Sequence, residues 1–373
     1  MSKLFGPLLA LLILAVLAPA TATTAAGRSG VPWDQVGDGW VLATVIRGRV
    51  EQGAELSVRA RSLELISPDG VRHPLHRTTR QAPKNNVDPG NFTLIGWDPS
   101  ARTALLKRYV SLARKQAIHL DLETGATRTL ALPKAEMATG LRPDGSGVLT
   151  QTLGGRILSI AWDGTRTTLG RAGQGGAITT PDGTSAVVAE GRALLVLPLD
   201  GASPHRVATP GQCRPLRWYS DTALLASCYS RKGSRLVTVG LDGAVTAMAR
   251  MRRSNRPGFR GPSWEDTDVR QVGGTSYYEG NGPCGGSFIT RENAKGQVRT
   301  VRVPGSRGGV SLVDGLEDRL LIAHTETCDN GLPRAVLSTF DPRSLDEDVL
   351  VRLAKNEHWG HVLAWDEPRP WGY

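Results

Sequence analysis

The chain has 373 residues, 40% of them apolar and only 5% aromatic, with a formal net charge of +10. That apolar share is enough for a core built from Val, Leu, Ile and Ala. No run beyond the first residues is long enough to cross a bilayer as a helix, which takes about 20 apolar residues. The basic balance suits contact with acidic surfaces such as wall polymers, phospholipid headgroups or nucleic acid, although the basic residues are dispersed and no nucleic-acid motif accompanies them.

The N-terminus has the order of a secretory signal. Lys3 is followed by an apolar run from Leu8 to Leu17 and then by small residues through Ala26, the sequence of features that a signal peptidase reads. Residues 1–26 are therefore expected to be a signal peptide, with cleavage after Ala20, Ala22 or Ala26. The mature chain, 27–373, is expected to be secreted or associated with the cell envelope, and monomeric. No cysteine lies near the cleavage region, which argues against a lipid anchor.

Next comes a repeat. Alternating apolar strands run into tight turns at Pro68-Asp69-Gly70, Glu123-Thr124-Gly125, Asp163-Gly164, Asp200-Gly201, Asp242-Gly243, Lys295-Gly296 and Asp341-Pro342-Arg343-Ser344. Asp-Gly between such strands is the strongest local hairpin signal, because both central residues must tolerate positive φ. Successive glycines from Gly70 to Gly296 are 37 to 55 residues apart, close to the length of a four-stranded propeller blade. Seven hairpins predict seven blades, an all-β, seven-bladed β-propeller. A second turn precedes most hairpins, at Trp97-Asp98-Pro99-Ser100, Arg142-Pro143-Asp144-Gly145, Thr180-Pro181-Asp182-Gly183 and Tyr219-Ser220-Asp221. Pro sets φ there and Asp or Ser bonds its own backbone.

The Pro-Asp-Gly followed by a small residue and an apolar strand resembles the WD40-like repeat of the TolB-type β-propellers. The match is clean at Pro143-Asp144-Gly145 and Pro181-Asp182-Gly183, degenerate at Asp98-Pro99-Ser100 and Tyr219-Ser220-Asp221, and weak at Val313-Asp314-Gly315. The resemblance implies a propeller without a catalytic domain, acting as a binding platform. At the C-terminus, His361–Trp365 reads as one more strand, expected to complete the first blade and close the ring.

Four cysteines in an exported chain predict disulfides. Cys213 and Cys228 lie symmetrically about Ser220-Asp221 and are expected to pair across a hairpin. Cys284 and Cys328 follow the second strands of adjacent blades and are expected to tie blade six to blade seven.

Catalytic signals are few. No G-x-S-x-G occurs, nor an α/β region to carry a triad, so a serine hydrolase of the prolyl-oligopeptidase type is excluded. His358-Trp359-Gly360-His361 has H-x-x-H spacing, but reads as a loop entering a strand where the two rings do not converge. No cofactor, metal site or catalytic residue is assigned. The densest basic patch is Arg250, Arg252, Arg253, Arg256 and Arg260, with Trp264 close by and Tyr277 and Tyr278 further on in the irregular sixth blade. Guanidinium groups beside aromatics suit a polyanion, so this is the expected binding patch. The favoured expectation is a non-catalytic platform for an unknown protein or anionic polymer. The alternative is a cation-dependent hydrolase or lyase using the central funnel.

Overall fold

A computed structural model describes residues 30–49, 57–79, 91–111, 114–142, 144–173, 176–231, 233–249, 266–281, 287–293, 295, 297–306, 309–326 and 334–365. Among them the secondary structure is all strand, in seven four-stranded antiparallel sheets. Six sheets are runs of four consecutive strands, and the first strands of neighbouring blades touch around the axis over most of the ring. The chain is a seven-bladed β-propeller.

All seven predicted hairpins join the third strand of a blade to its outermost strand. The turns that precede the hairpins in blades two to five join the innermost strand to the second. Both kinds of turn therefore lie on one face of the ring. The links from second to third strand, and the crossings between blades, begin and end on the opposite face.

Blades pack through seven apolar clusters, one at each interface. Leu42, Leu63 and Leu65 of blade one meet Phe92, Leu94 and Leu106 of blade two. Val41, Ala43 and Val45, on the other side of the same sheet, meet Leu321, Leu337 and Val351 of blade seven. A middle strand sandwiched in this way is buried on both sides, which is why Ala193–Pro198 reads ALLVLP rather than alternating. Indole groups add directed bonds. Trp97 of blade two donates to the Ala364 carbonyl of blade one at 3.1 Å, and Trp218 of blade five to the Thr179 carbonyl of blade four at 2.6 Å.

The innermost strands of blades two, three, five, six and seven share a bulge, with register shifts at Leu94/Gly96, Ala138/Gly140, Pro215/Arg217, Asp266/Asp268 and Leu312/Asp314. An extra residue bends a strand and strengthens its twist, which suits the crowded axis. The same device corrects the symmetry argument for Cys213 and Cys228. Their hairpin turns at Asp221-Thr222, one residue later than expected, but Leu216 and Tyr219 are bulged out of register on the inner strand. The two offsets cancel, and Cys213 and Cys228 are direct partners joined by a disulfide. Cys284 and Cys328 lie outside the described residues.

The closing strand is Glu357–Ala364, hydrogen-bonded to Val41–Arg49. It begins four residues earlier than the sequence suggested, because Gly360 interrupts the apolar alternation at a register shift between Trp359 and Val362. Four charged side chains secure it. Arg47 Nε donates to Glu357 Oε1 at 2.7 Å, and Arg72 bridges Glu64 Oε2 at 2.7 Å and Glu357 Oε2 at 3.1 Å. Burial opposes ionisation of Glu357, but hydrogen bonds from Arg47, Arg72 and the Ala354 N–H outweigh it and hold the carboxyl below its usual range.

Two outcomes are expected. Replacing Cys213 and Cys228 by serine opens a loop of sequence separation 15 and lowers stability by about 3 kcal/mol, read from denaturant midpoints of oxidised, reduced and mutant protein. Because Glu357 titrates below its unfolded value, its contribution is complete above about pH 4.5 and is lost as pH falls through the folded pKa. Glu357→Gln should therefore lower the unfolding temperature at pH 7 and differ progressively less from the parent toward pH 3. An undiminished difference at pH 3 would show that the closure does not depend on this ionisation.

Candidate functional site

The residue after the bulge differs around the axis. Blades two and three have Gly96 and Gly140 there, whereas blades five, six and seven have Arg217, Asp268 and Asp314. These three, with Arg270, form a chain of alternating charge across three blades. Arg217 Nε meets Asp268 Oδ1 at 3.0 Å, Arg270 meets Asp268 Oδ2 at 3.2 Å, and Arg270 reaches Asp314 Oδ1 at 3.5 Å. Arg217 also donates to the Val269 carbonyl and Arg270 to the Val313 carbonyl. Arg217, Asp268 and Arg270 are all buried, and buried charges persist only when paired and hydrogen-bonded.

A second constellation lies at the junction of blades one and two. His361 on the closing strand donates its backbone N–H to Thr44 Oγ1 at 2.7 Å. Gly360 permits that approach, since a Cβ there would lie 2.4 Å from the same oxygen. Burial, reinforced by the positive charges of Arg61 and Lys107, pushes the His361 imidazole down to about 4, so it is neutral at pH 7. Arg61 also donates to the Phe92 carbonyl at 3.1 Å, fixing blade one to the innermost strand of blade two. Lys107 is buried, and desolvation together with Lys115 lowers its own pKa. Both ammonium groups flank the Tyr109 ring, at 5.4 and 5.8 Å from its centroid. The imidazole and these cations thus share one inter-blade junction. Negative charge arriving there offsets the electrostatic part of what keeps the ring unprotonated.

The predicted binding patch fares differently. Arg250, Arg252, Arg253, Arg256, Arg260 and Trp264 lie outside the described residues. Tyr277 and Tyr278 are described, and both are buried. Tyr277 packs between blades six and seven, while Tyr278 packs between five and six with its hydroxyl on the Met248 carbonyl at 2.6 Å. Neither offers a surface, because in a propeller the second strand is covered on both sides. His358 and His361 lie within a strand rather than a loop. Among the described residues no group of three or more His, Cys, Asp or Glu is placed to hold a metal ion. The sequence reading missed both constellations, whose members come from different blades; the aligned inner-strand positions were the available signal.

No protein-family model matches the chain and no curated protein matches its sequence. Solved structures do match. The acylaminoacyl peptidase of Pyrococcus horikoshii is 12% identical over 84% of this chain and 50% of its own, with a TM-score of 0.50. The dihydro-heme d1 dehydrogenase NirN is 15% identical over 88% and 75%, at 0.47. A TolB-like protein of Agrobacterium tumefaciens is 14% identical over 68% and 99%, at 0.38. The likeness is one of fold. The chain spans half the length of the peptidase.

The TolB-type resemblance thus holds as a propeller fold. The expectation of a non-catalytic platform is not borne out: a propeller of like fold is part of an enzyme, the acylaminoacyl peptidase of Pyrococcus horikoshii.

One outcome follows from the charge chain. Asp268→Asn removes the carboxylate shared by Arg217 and Arg270 and leaves buried guanidinium charge uncompensated, at a cost of about 3–5 kcal/mol. Denaturant unfolding measures it, and a change below 1 kcal/mol would contradict this account.

Proposed function

We propose that the protein is a hydrolase or lyase acting in the central funnel on an anionic substrate. His361 transfers the proton, and Arg61 and Lys107 hold the anion. The observation that carries this reading is the place of His361 on the innermost closing strand, its backbone N–H held by Thr44 Oγ1 and its surroundings made positive by Arg61 and Lys107. The propeller-bearing enzymes of like fold favour catalysis in general, while the substrate charge is argued from these side chains alone.

In this scheme the substrate's negative group approaches Arg61 and Lys107, and the imidazole becomes more basic as that charge arrives. His361 then takes a proton, from water in a hydrolysis or from the substrate in an elimination, and returns it to the leaving group. General base catalysis of this kind contributes about 10²–10⁴-fold. The reaction is placed outside the cytoplasm on the sequence of residues 1–26 alone, which lie outside the described residues.

The test is a turnover screen of the mature protein against oligouronates, with neutral oligosaccharides of equal length as controls. Turnover of the acidic series is expected, with His361→Ala losing about 10²-fold or more in kcat while keeping the parental unfolding temperature. The free enzyme's kcat/KM should fall on acidification through about pH 4, and kcat at higher pH, because bound anion raises the imidazole's pKa. Full activity in His361→Ala, or equal turnover of neutral substrates, would overturn the proposal.

A further inference from the structure

The link between the second and third strands of blade three is short and unusual. Residues Leu153-Gly154-Gly155 join Gly147–Thr152 to Arg156–Ala161, on the face opposite the Asp-Gly turns. Gly155 has φ +79°, and a Cβ there would lie 2.5 Å from the Ala172 carbonyl oxygen, so the position demands glycine. The tip is pinned by the Leu153 N–H on the Ala135 carbonyl at 2.8 Å and the Gly155 N–H on the Thr152 carbonyl at 2.9 Å. Fixed in this way, Leu153 is 77% exposed, the most exposed of the large apolar side chains among the described residues, with Met137 on the adjoining strand 40% exposed.

Cations surround that apolar tip. Arg156 and Arg171 are direct cross-strand partners and both are exposed. Like charges placed opposite one another destabilise a sheet. Arg171 additionally donates to the Gly154 carbonyl at 3.0 Å, holding its guanidinium at the base of the tip. Lys134, also exposed, precedes the Ala135 that anchors Leu153. Among the described residues no carboxylate pairs with any of the three, and the nearby acid, Glu136, is buried and bound to Arg166.

We propose that this tip docks the protein on an anionic bilayer, with Leu153 entering the interface and Lys134, Arg156 and Arg171 meeting lipid phosphates. A rigidly held leucine gains nothing from water or from an extended polyanion, but it gains from the acyl boundary. The cations around it are placed at headgroup depth. An apolar point combined with basic flanks is the composition that interfacial segments use, and each basic residue near an anionic leaflet adds attraction that salt screens. The inference stands apart from the funnel chemistry, because none of these residues belongs to it.

Co-sedimentation of the mature protein with vesicles tests it, using phosphatidylcholine alone and phosphatidylcholine mixed with phosphatidylglycerol, with dextran sulfate as a soluble polyanion. Binding is expected only to the phosphatidylglycerol vesicles and should weaken as salt rises. Arg156→Gln and Arg171→Gln should each reduce affinity about fivefold, and Leu153→Ser should reduce it further with no change in unfolding temperature. Leu345→Ser, an exposed leucine on the opposite face, should bind as the parent does. The proposal fails if neutral vesicles bind equally. It also fails if Leu153→Ser binds unchanged, or if dextran sulfate binds regardless of Leu153 and displaces the vesicles.

Discussion

A propeller stands or falls on the joint where its last strand meets its first blade, and here that joint is held by charge as well as by the sheet. Glu64, Arg47 and Arg72 belong to the N-terminal three strands, while Glu357 opens the C-terminal fourth. Without Glu357–Ala364, blade one would expose the inner edge of Val41–Arg49 and leave the contacts with blades two and seven incomplete. The two carboxylates and two guanidiniums also carry register information. An ion pair set between fixed positions on Arg47 and Glu357 disfavours a closing strand displaced by a residue, a slip that would exchange its two faces.

The same logic governs the rest of the ring, where each interface is an apolar cluster with a few directed bonds. Trp97 and Trp218 each send an indole N–H across to the inner-strand carbonyl of the preceding blade. Between blades six and seven the Glu279 carboxylate accepts the Leu312 N–H at 2.6 Å. Apolar packing supplies most of the driving force but is non-directional. The polar bonds fix how far one blade is rotated against the next. Charged residues on the inner strands of blades five to seven extend this to the axis, where Arg217, Asp268, Arg270 and Asp314 form one continuous chain.

Much of this was legible in the sequence because turn chemistry is local. Seven hairpins and their common position in the blade followed from residues within about ten positions of one another, while the Cys213–Cys228 pairing, at a separation of 15, followed from a hairpin placed one residue off and restored by bulges. The bulges were not legible, because an extra residue at Leu216 or Tyr219 is decided by how the inner strand crowds the axis. The constellations were harder still. Arg217 meets Asp268 across 51 positions, and His361 lies 300 positions from Arg61 in the chain. Tyr277 and Tyr278 misled for a related reason, since an aromatic pair in an irregular stretch gives no local sign that two neighbouring blades cover it.

The two faces of the ring dispose of charge in opposite ways, and this links the fold to its surfaces. On the turn face the aspartates serve the backbone. Asp163, Asp182 and Asp341 accept the N–H two residues on, from Thr165, Thr184 and Arg343, and hydrogen bonding holds their carboxyls below the usual range. On the opposite face, Lys134, Arg192, Arg231, Arg302, Arg334 and Lys355 are exposed and, among the described residues, without an acidic partner. Turn geometry thus fixes where the acids go, and nothing in the fold requires the cations to gather on the other side. A negative partner approaching the ring is attracted to that basic face.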